Sequence, residues 1–243
     1  MIPKVIHYCW FGNGEKPELV LSCIDSWKKK LPDYDIIEWN ENNFDVNFCL
    51  YSKQAYELKK FAFVSDVARF QILNEKGGIY LDTDVEVIRS LDDFLSNELF
   101  FGYDQRSKVA SGLIMGSSAS NSILKEILHY YSTTPFLLKN GFPNTTTVVT
   151  IVSDILEKND FTLNGEFVSK QGVTIYPWDY FDPYDYENKK MIKTNNTHAI
   201  HYYAGSWKSP NDEKIYRIGR FIKRITGERI YSKIARLKHK IMG

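Results

Sequence analysis

Cysteine is scarce in this chain of 243 residues: Cys9, Cys23 and Cys49 are an odd set at no metal-ligand spacing. That excludes a disulfide-stapled scaffold or a zinc-centred module, and it suits a reducing compartment. Cys9 falls inside an apolar run and is expected in the core, not as a nucleophile. Long apolar runs are missing as well. None approaches the roughly 20 residues needed to cross a bilayer. Met1-Ile2-Pro3-Lys4 leads straight into a strand-like segment without the basic start and small-residue cleavage site of a secretory signal. A cytoplasmic protein, soluble or peripheral, is the expectation. Net charge is nearly absent too, at a formal +1.

That small sum hides an uneven distribution. From Lys214 onward ten basic residues face one acid, Glu228, a local +9 that the preceding part must offset. Ile218, Phe221, Ile222 and Ile225 repeat at helical spacing, and Ile230, Ile234, Leu237 and Ile241 do so again after Thr226-Gly227. The division expected is a domain over 1–213 and a basic amphipathic tail over 214–243. Two readings of the tail compete: helices packed on the domain with solvated basic faces, or adhesion to an anionic inner membrane leaflet, where each Lys or Arg contributes about 1 kcal/mol. Nucleic acid is not an expected partner, since no reader motif accompanies the charge.

Hydrophobic residues make up 43% and charged residues 25%, ordinary for a globular chain long enough to bury a core without staples. Aromatics reach 15%, which suits stacking on sugars and bases and equally suits a codon bias. Strand-like Val5 to Trp10 precedes a helix over 18–30, strand Asp35 to Trp39, helices over 53–60 and 62–76, and strand Ile79 to Leu81. This alternation predicts an α/β, Rossmann-type domain with a mainly parallel central sheet and helices on both faces. Further strands are expected at 99–103, 113–115, 173–176 and 198–203, and helices at 121–131 and 145–158, the latter capped by Asn144 or Thr145. Ligands of such sheets bind beyond the carboxyl ends of the strands, where Trp10, Asn40 and Asp82 lie.

The densest signal is Gly77-Gly78-Ile79-Tyr80-Leu81-Asp82-Thr83-Asp84. Two carboxylates one residue apart at a strand end suit a hard cation bound to a diphosphate, whereas a solvated turn is the ordinary alternative. Asp84 is the best candidate for a direct ligand of Mn2+ or Mg2+. Upstream, Ser65, Asp66 and Arg69 share one edge of a helix that Gly77 and Gly78 end.

The block A-x-x-S-D-x-x-R followed by G-G-I-Y-L-D-x-D resembles the family 32 glycosyltransferases, which include capsular-polysaccharide sugar transferases and outer-chain mannosyltransferases. It is also similar to the glucosyltransferase domains of the large clostridial toxins. Ile2-Pro3-Lys4-Val5-Ile6-His7 through Trp10 resembles the family's opening I-P-K-x-I-H-x-x-W. Thr197 through Trp207 resembles its closing H-x-x-x-S-W segment, although many relatives carry tryptophan near Tyr203.

The resemblance implies a GT-A-like fold and a metal-dependent, retaining hexosyltransferase acting from a nucleotide diphosphate sugar, a UDP-sugar, to a surface-glycan or lipid-linked acceptor. It implies a mixed role for Asp82, in metal and donor binding, and a third ligand at His201, with His198 the weaker choice; a core histidine is the competing reading. Trp10 would stack on the base or sit in the core. Asp66 and Arg69 would hold the donor hexose or form a helix ion pair. Asn40, Ser206 and Trp207 would contact the nucleotide, while Ser65 and Tyr80 would support it or touch the donor, and His7 would support its strand end. Two other functions compete: a non-catalytic nucleotide- or glycan-binding subunit, and a phosphatase of the haloacid-dehalogenase kind. The phosphatase fits poorly, because Glu86 stands where a small or β-branched residue is usual and the motif does not follow the first strand.

Overall fold

A computed structural model describes residues 1–185 and 188–205. Ser206, Trp207 and the tail over 214–243 therefore lie outside the described residues. The chain divides into two units, one formed by Met1–Leu138 and Pro143–Ala204 and the other by Lys139–Phe142 and Gly205–Gly243. Every strand and helix among the described residues lies in the first unit.

The chain runs β1 (Val5–Cys9), α1 (Glu18–Lys30), β2 (Asp35–Trp39), α2 (Leu50–Glu57), α3 (Phe61–Lys76), β3 (Gly78–Leu81), β4 (Val85–Val87), β5 (Leu99–Gly102), β6 (Ile114–Ser117), α4 (Ser122–Thr133), α5 (Val148–Lys158), β7 (Val168–Lys170), β8 (Val173–Tyr176), β9 (Tyr184–Asp185), β10 (Lys190–Met191) and β11 (Ala199–His201) among the described residues. Seven strands form the central sheet in the order β2-β1-β3-β6-β5-β8-β7. β1 pairs in parallel with β2 and β3, and β5 with β8, whereas β6 and β7 run against their neighbours. Five of the seven strands thus point one way. β9 pairs with β10 and β11 with β4, outside that sheet.

Strand alternation sorts the apolar side chains onto two faces. Ile6, Tyr8, Ile79, Leu81, Phe100 and Ile114 join one buried cluster with Val20, Cys23, Ile24 and Trp27 of α1. Cys9, Tyr80, Leu99, Phe101 and Met115 join the other, with the apolar stripes of α2, α3, α4 and α5. Helices therefore cover both faces, the expected α/β architecture, and Cys9 is core. Each large side chain so buried contributes about 1.5–3 kcal/mol relative to exposure.

Several boundaries differ from the sequence reading. α2 begins at Leu50 because Cys49 and Ser52 form a reciprocal cap, and it stops before Lys59, whose φ is +56°. α5 is capped by Thr147, not by Asn144 or Thr145: Thr147 Oγ1 accepts from the Thr150 N–H at 3.3 Å. Asn144 instead turns the loop before it, accepting from Thr146 N–H at 3.1 Å. The final strand is shorter than expected, Ala199–His201, and Tyr203 has left extended backbone at φ +52°. The short strands β4 and β7 carry too few residues to show a period in sequence.

Candidate active site

Because β2, β1 and β3 are adjacent and parallel, Asn40, Trp10 and Asp82 emerge side by side beyond their carboxyl ends. His7 pins those strands. Its Nε2–H donates to Gly77 O at 2.9 Å, while Nδ1 accepts from Trp39 Nε1–H at 3.1 Å. Both nitrogens are thus used by the neutral ring, and burial lowers the His7 pKa to about 4. A side chain at position 78 would meet His7 Nε2 and Val5 O at 2.8 Å, so Gly78, at φ +105°, has to be glycine.

After β3 the chain turns through Asp82, whose carbonyl accepts from Val85 N–H at 3.1 Å, into β4. Trp27 and Ser26 of α1 fix β4: Trp27 Nε1–H donates to Val85 O at 2.7 Å and Ser26 Oγ accepts from Val87 N–H at 3.0 Å. β11 then pairs antiparallel with β4, His201 opposite Val85. That register sets His201 beside Asp84, with Nε2 3.2 Å from Oδ1. The chain beyond closes over the same carboxylate, Ala204 N–H donating to Asp84 Oδ2 at 2.8 Å.

Asp82, Asp84 and His201 each offer one ligand atom, and these lie within 4.8 Å of one another. Two carboxylates and an imidazole at that spacing fit Mn2+, which accepts oxygen and nitrogen donors, and leave room for substrate oxygens. Burial alone would raise the Asp84 pKa, but the His201 charge, its hydrogen bond and the Ala204 N–H outweigh burial and lower it. The His201 pKa moves the other way: burial lowers it, and the charges of Asp84, Asp82 and Asp182 with the Asp84 hydrogen bond raise it.

A second group of charges adjoins Asp82. The Arg69 side chain is 4% exposed and its Nη2 lies 3.0 Å from Asp66 Oδ1 and 3.3 Å from Asp82 Oδ1. Its Nε–H donates to Ser65 O at 3.1 Å, and its guanidinium lies 4.6 Å above the Tyr80 ring. Tyr80 is buried and its hydroxyl donates to Asp82 Oδ1 at 3.1 Å, so it supports the site from the core side. Ser65 Oγ is turned back to Phe61 O. Burial raises the Asp66 pKa to about 6 against the pull of Arg69. It also raises that of Asp82, which Arg69 opposes and Asp84 reinforces.

The other candidates stand apart from these ions. Trp10 is half-buried at the end of β1, its Nε1–H donating to Gly14 O at 2.7 Å. The Asn40 amide serves its own turn, accepting from Asn42 N–H at 2.9 Å. His198 is buried, Nδ1 2.6 Å from Ser90 O, one strand length from the acidic pair.

Sequence reasoning missed two residues here. A Cβ at Gly112 would come within 2.7 Å of Asp82 Oδ2 and 2.8 Å of Arg69 Nη1, so its lack of a side chain admits the ion pair. Asp182, 1% exposed, accepts from the Tyr203 hydroxyl at 2.6 Å, and burial raises its pKa to about 7. Neither belongs to a motif, and only tertiary proximity reveals them.

A family model described as the glycosyltransferase sugar-binding region containing a DXD motif matches residues 17–101. Over 139 residues the chain is 31% identical to inositol phosphoceramide mannosyltransferase 3 of Schizosaccharomyces pombe, covering 52% of this chain and 36% of that protein. It is 31% identical over 156 residues to an uncharacterized glycosyltransferase of Acanthamoeba polyphaga mimivirus, covering 60% of each. The chain thus spans between about a third and three fifths of the length of these relatives. Among solved structures, a glycosyltransferase involved in glycosylating the major capsid of PBCV-1 aligns at TM-score 0.49 with 10% identity, over 88% of this chain and all of that one. The matched stretch, residues 17–101, holds Asp66, Arg69, Asp82 and Asp84, and over it the chain is similar to the glycosyltransferase sugar-binding region containing a DXD motif.

Proposed function

We propose that this protein is a divalent-cation-dependent, retaining glycosyltransferase that moves a hexose from a nucleotide diphosphate sugar, with UDP as carrier, to a surface glycan or lipid-linked saccharide. The observation that carries the reading is the convergence of Asp82, Asp84 and His201 beside the Asp66–Arg69 pair, beyond the carboxyl ends of parallel strands. Asp84, Asp82 and His201 would hold Mn2+ or Mg2+, which supplies Lewis-acid neutralisation of charge on the leaving diphosphate.

The protein's own groups do the positioning. Arg69, locked by Asp66, Ser65 and the Tyr80 ring, fixes Asp82 and presents Asp66 to the donor hexose. Preorganised charges of this kind lower a barrier because they need no reorientation as bonds break. Trp10 offers a half-buried aromatic surface for the base at the neighbouring strand end. Mannose enters the candidate sugars because the named Schizosaccharomyces pombe relative is a mannosyltransferase.

Thermal unfolding with a panel of UDP- and GDP-sugars, with and without Mn2+, tests the reading, alongside release of free sugar from each donor. A ligand at one hundred times its Kd stabilises by about 2.7 kcal/mol. One donor is expected to raise Tm with Mn2+ and to be slowly hydrolysed. No rise with any nucleotide and metal would overturn the proposal, and binding without turnover of any donor would leave a nucleotide-binding subunit.

A further inference from the structure

His201 is held by polar contact on one side only. Its Nε2 faces Asp84 at 3.2 Å, whereas Nδ1 is buried and has no hydrogen-bond partner among the described residues. Metal-binding histidines ordinarily have their second nitrogen bound to a carboxylate, carbonyl or water, which fixes the ring plane. The imidazole instead packs against an aromatic ring: the Tyr203 centroid lies 4.1 Å from the imidazole centroid, with the planes 42° apart.

Tyr203 is itself held under constraint. Its φ of +52° puts a bulky side chain in the left-handed region, which persists only where surrounding contacts fix it. One such contact is at the far end of the ring, where the hydroxyl donates to Asp182 Oδ2 at 2.6 Å. Asp182 is immobile in turn. Its N–H donates to Trp178 O at 2.7 Å, its carbonyl accepts from Gln105 Nε2–H at 3.1 Å, and the residue is 1% exposed.

We propose that Asp182 and Tyr203 form a latch that sets the His201 imidazole for coordination of a divalent cation, both acting as positioning residues. The inference rests on the metal-dependent reading above. It requires only an acceptor at position 182, since the bond runs from the phenol to a carboxylate oxygen.

The test is Mn2+ titration of the full chain with UDP present, free Mn2+ being read by electron paramagnetic resonance, beside metal-free thermal unfolding. Tyr203→Phe and Asp182→Ala are expected to weaken Mn2+ binding roughly tenfold, the lower end of what outer-shell losses cost. Asp182→Asn, which keeps an acceptor, is expected to stay within about threefold of the parent, an allowance well below that tenfold loss. If Asp182→Ala does not fold, Tyr203→Phe decides. Lower Tm with unchanged Mn2+ affinity in Tyr203→Phe would show a structural contact and overturn the latch alone. Absence of Mn2+ binding by the parent would overturn the latch together with the metal-dependent reading.

Discussion

At the scale of single residues the site is a chain of charges in which each link depends on its neighbour. Asp84→Asn removes the anion proposed to bind the cation yet keeps the shape of the side chain, and is expected to cut donor turnover by about 10²-fold or more, about 3 kcal/mol. A steady-state assay finding activity within about threefold of the parent, far short of that loss, would deny Asp84 the role. Arg69→Met tests a different quantity. Removing the guanidinium leaves Asp66 and Asp82 facing one another without their cation, and breaking such a buried pair costs about 3 kcal/mol. For a chain of this size that is roughly 10 °C in Tm, and a drop under about 2 °C would show the pair to be exchangeable. Gly112→Ala should spare the fold while its Cβ pushes Asp82 and Arg69 apart. Donor affinity, measured by calorimetry, is expected to fall roughly tenfold, or about 1.4 kcal/mol; unchanged affinity would mean that the pair tolerates displacement.

At the scale of elements, His7 joins β1 to β2 through Trp39 and to the end of α3 through Gly77. A proton added at Nδ1 would oppose the Trp39 N–H. The folded pKa, near 4, lies below the usual 6.5, because burial disfavours the cation. Unfolded chains therefore bind the proton first. The stability this histidine supports is fully present above pH 6.5 and is lost as pH falls towards 4, about 2 kcal/mol of it by about pH 5. Urea unfolding of the parent and His7→Gln at about pH 7.5 and about pH 5, either side of the unfolded pKa, should show the larger loss in the parent; equal losses would remove His7 as the cause. The same elements show which signals are legible in sequence. α1 and β2 begin and end where their patterns do, since amphipathic spacing and strand alternation are local. α2 starts at Leu50, ahead of the helical pattern from Lys53, because its start depends on the Cys49–Ser52 cap and no apolar stripe marks it.

At the scale of the whole molecule, we propose that the basic segment from Lys214 is a membrane-surface element that brings the site to a lipid-linked acceptor. Co-sedimentation with anionic liposomes is expected for the full chain, to weaken at about 1 M salt where the Debye length is about 3 Å, and to disappear on truncation after Glu213. Equal recovery of full and truncated protein with anionic and neutral vesicles would remove the membrane role.

The sequence alone determined the α/β alternation, the face each strand residue takes, and the delivery of Asp82 and Asp84 at a strand end, because periodicity and glycine stops act over a few residues. Tertiary structure decided what those carboxylates meet. The β4–β11 ladder brings Ala204 to Asp84 across 120 residues of chain and sets His201 beside it. Arg69 bridges a helix to a strand end, Gly112 leaves room for that bridge, and Asp182 reaches His201 only through the Tyr203 ring. Such contacts have no local signature, since three-residue strands pair through register with a distant partner and an empty Cβ position matters only once another chain segment has packed against it.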